Sequence, residues 1–173
     1  LKKIKKEIDA EKKWEYYENG NTFDNIFKLN DLNVVKEVHS VYDKLSTIPT
    51  LLEAKKYPNY QRHDVVWIKR RGSHDGAVPS MAAHWDGDPS PKYVGKGNGQ
   101  MLIPNTVKWA SVIYLNDDFE GGELNYEEIG IKFKPMAGAL IFHKGDDAKY
   151  RHSVDSIVGM RYNLILNYIY FPL

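Results

Sequence analysis

The 173-residue sequence contains no cysteine. Disulfides, thiolate metal sites and cysteine nucleophiles are excluded together, so any metal must be held by nitrogen and oxygen. No apolar run is long enough to span a bilayer, so no membrane is expected as a partner. Net charge is almost absent: 24 Lys+Arg against 23 Asp+Glu give a formal +1. With no long-range field of one sign, no nucleic acid is expected as a partner either. No signal peptide is visible and the chain begins at Leu1, so a cytoplasmic location is a default expectation only. What the sequence does have is 42% hydrophobic and 13% aromatic residues. That is enough to bury a core, and a single domain over 1–173 is expected.

The chain reads in two textures. Residues 1–60 suggest helical support. Leu1, Ile4 and Ile8 recur at helical spacing among lysines, a solvated face rather than a binding patch. Phe23, Ile26, Phe27 and Leu29 form a short apolar cluster of undecided shape. Leu32, Val35, Val38, Tyr42 and Leu45 make one helical stripe. Thr50-Leu51-Leu52-Glu53 has the form of a capping box opening a further short helix, ended by Pro58.

From 61 to 171 the texture is that of strands. Segments near 64–69, 77–88, 107–116, 123–126, 129–134, 138–143, 151–158 and 161–171 are rich in β-branched and aromatic residues and are separated by turn signals, among them Gly159. About eight short strands at close spacing predict an antiparallel sandwich or barrel. Residues 87–105 break into Gly, Pro, Asn and Lys. A connection that long in a compact domain is usually functional or disordered, and a substrate-covering role is expected for it.

One triplet carries chemistry. In His84-Trp85-Asp86, an extended strand would put the imidazole and the carboxylate on one face and Trp85 on the other. With a second histidine from elsewhere they would form the two-histidine, one-carboxylate triad of non-haem Fe(II) oxygenases. Such a pair of residues is common by chance, so the triplet gains meaning only from residues further along the chain. His152 opens a later strand as His152-Ser153-Val154, and Arg161 comes nine residues after it.

That order resembles the prolyl 4-hydroxylase-like branch of the 2-oxoglutarate and Fe(II)-dependent oxygenases, over roughly residues 61–171. Four segments carry the likeness in order: the HxD triplet; Ile113-Tyr114-Leu115-Asn116 with Gly121-Gly122-Glu123-Leu124; Pro135 with Gly138 to Phe142; and His152-Ser153-Val154 with Gly159-Met160-Arg161-Tyr162. A matching set is far more specific than any lone motif. The resemblance implies a mainly β double-stranded β-helix (jelly-roll, cupin-like) with N-terminal supporting helices. It also implies that His84, Asp86 and His152 hold Fe(II), with 2-oxoglutarate as cosubstrate and O₂ as oxidant. Arg161 would anchor the distal carboxylate of 2-oxoglutarate, since arginine offers a bidentate fork and stays charged when desolvated. Tyr114 would donate its hydroxyl to the same carboxylate. By strand parity Val154 faces with His152 toward the cosubstrate, and Asn163, Ile165 and Asn167 share a face with Arg161.

The implied reaction hydroxylates an unactivated C–H bond and releases succinate and CO₂, with ascorbate as a candidate reductant. A prolyl residue in a peptide or protein is the first expectation for the substrate; a small molecule stays open. Oligomeric state is not legible. Two other classes fit the same ligands: a zinc hydrolase with a metal-bound water as nucleophile, and a cupin-like binding module without catalysis. Taken alone, His152, Arg161 and Tyr114 would each read as ordinary packing or surface residues. His63, His74 and His143 have no place in the pattern, and Trp67, Trp85 and Trp109 read as core or sheet-face aromatics.

Overall fold

The computed structural model describes residues 15–16, 24–28, 32–53, 60–62, 67–87 and 107–170. The expected helix at the N-terminus, the capping-box stop at Pro58, and all of the long 87–105 connection except Gly87 lie outside these residues. In chain order the elements are β1 (Glu15–Tyr16), β2 (Asp24–Lys28), α1 (Leu32–Glu53), β3 (Tyr60–Arg62), β4 (Trp67–Val78), β5 (Met81–His84) and β6 (Val107–Tyr114). They continue with β7 (Glu120–Gly121), β8 (Leu124–Tyr126), β9 (Ile131–Phe133), β10 (Leu140–Lys144), β11 (His152–Val154) and β12 (Ile157–Tyr170). Among the described residues, no helix is long and apolar enough to cross a membrane.

Two antiparallel sheets form. The major sheet runs β1-β2-β4-β12-β6-β10, with β3 and β7 also paired to β12. The minor sheet runs β5-β11-β8-β9. Alternation along β12 sends its side chains to two different cores. Leu164, Leu166 and Tyr168 pack with Ile68 and Trp109, and against Val38 and Leu45 of α1. The helical stripe read from the sequence therefore covers one face of the major sheet. The other face looks toward the minor sheet. There Val78, Ile157 and Ile141 of the major sheet pack with Leu124, Tyr126, Val154 and Met81 of the minor one. The mainly β double-stranded β-helix is thus present, with its helix outside and a second core between its sheets.

Four expectations need correction. First, the N-terminal 60 residues are not helical support alone, because β1 and β2 lie there. β2 pairs with β4, Asp24 opposite Arg71 and Lys28 opposite Trp67, and so covers a sheet edge that would otherwise carry unpaired main-chain groups. Second, α1 runs unbroken through Pro49 to Glu53. Proline removes one main-chain hydrogen bond, but its φ is helical, and the capping box at Thr50 is not used. Third, Asp86 does not sit on a strand: β5 ends at His84, and Asp86 lies in the turn beyond it.

The fourth concerns Gly159, which is not a turn. The break falls at Asp155–Ser156, and β12 continues through Gly159 by a register shift against β4. Gly159 takes φ +94°. A Cβ on Gly72 across the ladder would lie 2.0 Å from the Gly159 carbonyl oxygen. Two glycines let the strands touch main chain to main chain at a β-bulge, a backbone shape L side chains resist.

A candidate metal centre between the sheets

The minor sheet brings the two distant histidines together. β11 pairs with β5 so that His152 stands directly opposite His84, and their ring centroids are 4.6 Å apart. Asp86 enters from the turn beyond β5. One ligand atom from each of His84, Asp86 and His152 lies within 4.8 Å of the others. Among the described residues this is the group of side chains placed to hold a metal ion.

Both imidazoles are oriented by their own strands. His84 Nδ1 is 3.0 Å from the Ala82 carbonyl oxygen and His152 Nδ1 is 2.9 Å from that of Tyr150. A carbonyl only accepts, so each Nδ1 carries the proton and donates it. Each Nε2 is then left with a lone pair, the tautomer a metal ligand requires. His152 is 6% exposed. Burial pushes it down to about 4, against the opposing pull of Asp86 and the Tyr150 carbonyl, so it is neutral near pH 7. For Asp86, burial alone would raise the carboxyl. The hydrogen bond from His143 and the charges of His152, His143 and His84 outweigh it and hold the carboxyl below its ordinary value. His152 brings a neutral nitrogen and Asp86 an anionic oxygen, and with the His84 imidazole they make a two-nitrogen, one-oxygen donor set that fits Fe(II).

The metal turn is fastened to the other sheet. Gly87 N–H donates to the Gly145 carbonyl at 2.7 Å, and Gly145 N–H donates to that of Lys108 at 2.9 Å. A Cβ on Gly87 would lie 2.3 Å from the Val107 carbonyl oxygen and 2.9 Å from the Gly145 carbonyl. Gly87→Ala is therefore expected to push the turn and Asp86 away from the histidines. The forced overpacking should cost about 1–3 kcal/mol of stability. The stabilisation that Co(II) gives in a thermal melt should also shrink; a full metal-induced shift would mean that the turn tolerates the methyl group.

Arg161 lies deeper. On β12 it is 3% exposed, with its guanidinium donating to the Gly122 carbonyl at 3.3 Å and its Cζ 6.0 Å from the Tyr114 ring centroid. Tyr114 is fully buried. Burial raises its hydroxyl, partly offset by Arg161, so it remains a donor. Register places these groups on one face: Asn163 pairs with Tyr114, Ile141 with Val112, and His143 with Ala110. Arg161, Asn163, Ile165 and Asn167 alternate on that same face of β12. It is the face toward the minor sheet, since His143 reaches Asp86 and Ile141 packs with Leu124. The Asn163 side-chain oxygen is buried there with no hydrogen-bond partner. Leaving such an atom unsatisfied costs about 1–3 kcal/mol, which suits a site built around a polar occupant. Val154 is buried among Val78, Leu124 and Ile157 as part of the core between the sheets. Trp109 stacks on Phe142 in the opposite core.

By sequence, no protein-family model and no curated protein matches the chain. By structure, solved proteins do. A Pseudomonas putida prolyl-4-hydroxylase superposes with TM-score 0.65 at 16% identity, over 99% of this chain and 85% of that one. A Trichoplax adhaerens prolyl hydroxylase, solved with a hypoxia inducible factor oxygen degradation domain peptide fragment, gives 0.68 at 16%, over 98% and 76%. The viral collagen prolyl hydroxylase of Paramecium Bursaria Chlorella virus-1, solved with 2-oxoglutarate, gives 0.62 at 14%, over 86% and 80%. The chain has the prolyl 4-hydroxylase-like 2-oxoglutarate oxygenase fold. Within that fold the three predicted ligands come together, and Arg161 and Tyr114 lie near each other on the face of the major sheet that looks toward the minor one.

Two residues at the centre were not singled out in the sequence. His143 is 5% exposed, with Nε2 3.2 Å from Asp86 Oδ2 and Nδ1 3.3 Å from the Tyr126 hydroxyl. The Tyr126 ring centroid is 5.4 Å from those of both His143 and His152. Burial first, and Asp86 next, push the Tyr126 hydroxyl far up, so it holds its proton. The sequence held one signal: a histidine inside an apolar strand, where a lone polar side chain needs a buried partner.

Proposed function

We propose that the chain is an Fe(II)- and 2-oxoglutarate-dependent dioxygenase that hydroxylates an unactivated C–H bond. One observation carries the reading: a pre-oriented His-Asp-His set converges between the two sheets, on whose facing sides a buried arginine also lies. His84, Asp86 and His152 would hold the metal and leave three positions open. Iron bound there would couple decarboxylation of 2-oxoglutarate by O₂ to hydroxylation of the substrate, giving succinate and CO₂. Arg161 would hold the distal carboxylate of 2-oxoglutarate through a bidentate fork, with the Tyr114 hydroxyl as a further donor and Val154 packed below. The low-dielectric walls around them strengthen that ion pair and exclude water.

A prolyl residue in a peptide or protein is the substrate we put first. It is supported by the prolyl hydroxylases among the structural neighbours, one of them solved with a peptide. Ascorbate would serve as reductant. The test is succinate formation by purified protein with Fe(II), ascorbate, 2-oxoglutarate and proline-containing peptides. Turnover that depends on both Fe(II) and 2-oxoglutarate is expected. Absence of turnover under every condition, together with tight Zn²⁺ binding and ester or amide hydrolysis, would make the protein a zinc hydrolase instead.

A further inference from the structure

We propose that His143 is a positioning residue that restricts Asp86 to a single metal-binding oxygen. The inference rests on the proposed metal site. Asp86 Oδ2 lies 3.2 Å from His143 Nε2. A carboxylate has no proton to give, so His143 donates through Nε2–H. In the neutral ring Nδ1 is then the acceptor, and it receives a hydrogen bond from the Tyr126 hydroxyl across 3.3 Å. The chain of donation runs from Tyr126 to His143 to Asp86, and each link fixes the tautomer or orientation of the next. His143 thus directs Oδ2 away from the metal, and Oδ1 is the proposed ligand atom.

The consequence is chemical. Three protein donors leave three positions on a six-coordinate ion, two for a chelating cosubstrate and one for O₂. A carboxylate free to swing its second oxygen onto the metal would occupy one of them. His143 is suited to prevent this because it is itself fixed. It is buried on β10 opposite Ala110 and edge-on to the His152 ring at 5.0 Å. It belongs to the major sheet, whereas His84 and His152 belong to the minor one. The carboxylate leaves the minor sheet at the end of β5 and is tied to the major sheet twice: by Gly87 through the main chain and by His143 through the side chain.

The test compares two amides at this position. In His143→Gln the side-chain nitrogen falls near the place of Nε2 and can still donate to Asp86. In His143→Asn it falls near Nδ1 and cannot. The two carry the same amide and both lose the ring, and Asn is smaller by one methylene; a packing loss alone would therefore lower the melting temperature of both without altering the Co(II) spectrum of either. Co(II) is the probe, titrated into metal-free protein by calorimetry with the visible spectrum recorded, and native protein and His84→Ala bracket the scale. We expect His143→Gln to bind within about threefold of native. We expect His143→Asn to bind on the order of 10–100-fold more weakly, the usual effect of losing a hydrogen bond to a ligand, with an altered Co(II) spectrum. Tyr126→Phe should fall between them. Equal weakening of Gln and Asn would overturn the proposal, as would native affinity and spectrum in both. A loss in both as large as in His84→Ala would make His143 a ligand rather than a positioning residue, and would also overturn it. If native protein binds no Co(II), the metal site itself is wrong and this inference falls with it.

Discussion

His152→Ala is expected to abolish turnover and to weaken Fe(II) or Co(II) binding by on the order of 10²–10³-fold. The estimate takes one ligand's share of the roughly 10–16 kcal/mol found for four-ligand sites. The geometry explains why no neighbour can substitute. His152 reaches the site because β11 sets it opposite His84, and its Nδ1 is committed to the Tyr150 carbonyl. His143, the nearest other imidazole among the described residues, has both nitrogens engaged with Asp86 and Tyr126. Moving it onto the metal would strip Asp86 of its hydrogen bond. The strand itself should survive, since β11 is held by main-chain pairing to β5 and β8. Far-UV circular dichroism therefore separates loss of metal from loss of fold. A folded His152→Ala protein with native metal affinity would remove His152 from the ligand set.

How much of this was legible in the sequence differs from residue to residue. His84, Asp86, His152 and Arg161 were legible as an ordered set, and the structure brings one ligand atom from each of the first three within 4.8 Å of the others. The local reason offered for Asp86 was still wrong. Strand parity was to put it beside His84, yet it reaches the site from a turn, fixed by main-chain contact between Gly87 and Gly145. That contact joins positions nearly sixty residues apart, and no local pattern encodes it. His143 fails to show for the same reason: its meaning lies wholly in what faces it across the two sheets. Gly159 shows the opposite error. A glycine between two strand-like runs reads as a turn, and only the main chain of Gly72, packed against its carbonyl, shows that a bulge is needed. Around α1 the stripe was correct at Val38 and Leu45. The separate helix expected to open at Thr50 does not form: α1 runs through that position to Glu53, as a helix already under way needs no new nucleus.

Arg161 permits a test that separates cosubstrate from metal. Arg161→Ala is expected to raise the 2-oxoglutarate requirement by about 10²–10⁴-fold, because two charge-assisted hydrogen bonds at about 1.5–3 kcal/mol each are lost. Co(II) affinity should stay within about threefold of native, since Arg161 is hydrogen-bonded to Gly122 and lies against Tyr114 rather than at the ligand set. Arg161→Lys should recover part of the loss: the charge returns, but the fork does not. A second buried arginine sits directly opposite on β4. Arg71 is 1% exposed and donates to the Pro79 carbonyl at 2.8 Å, which ties it to the connection between β4 and β5. Its replacement should therefore lower stability more than it changes the 2-oxoglutarate requirement. The two arginines thus predict opposite patterns in the same pair of measurements, a Tm and a KM for 2-oxoglutarate. If Arg161→Ala left the KM unchanged, or lost metal to the extent of His152→Ala, the anchor would have to be sought elsewhere on the inward face of the major sheet.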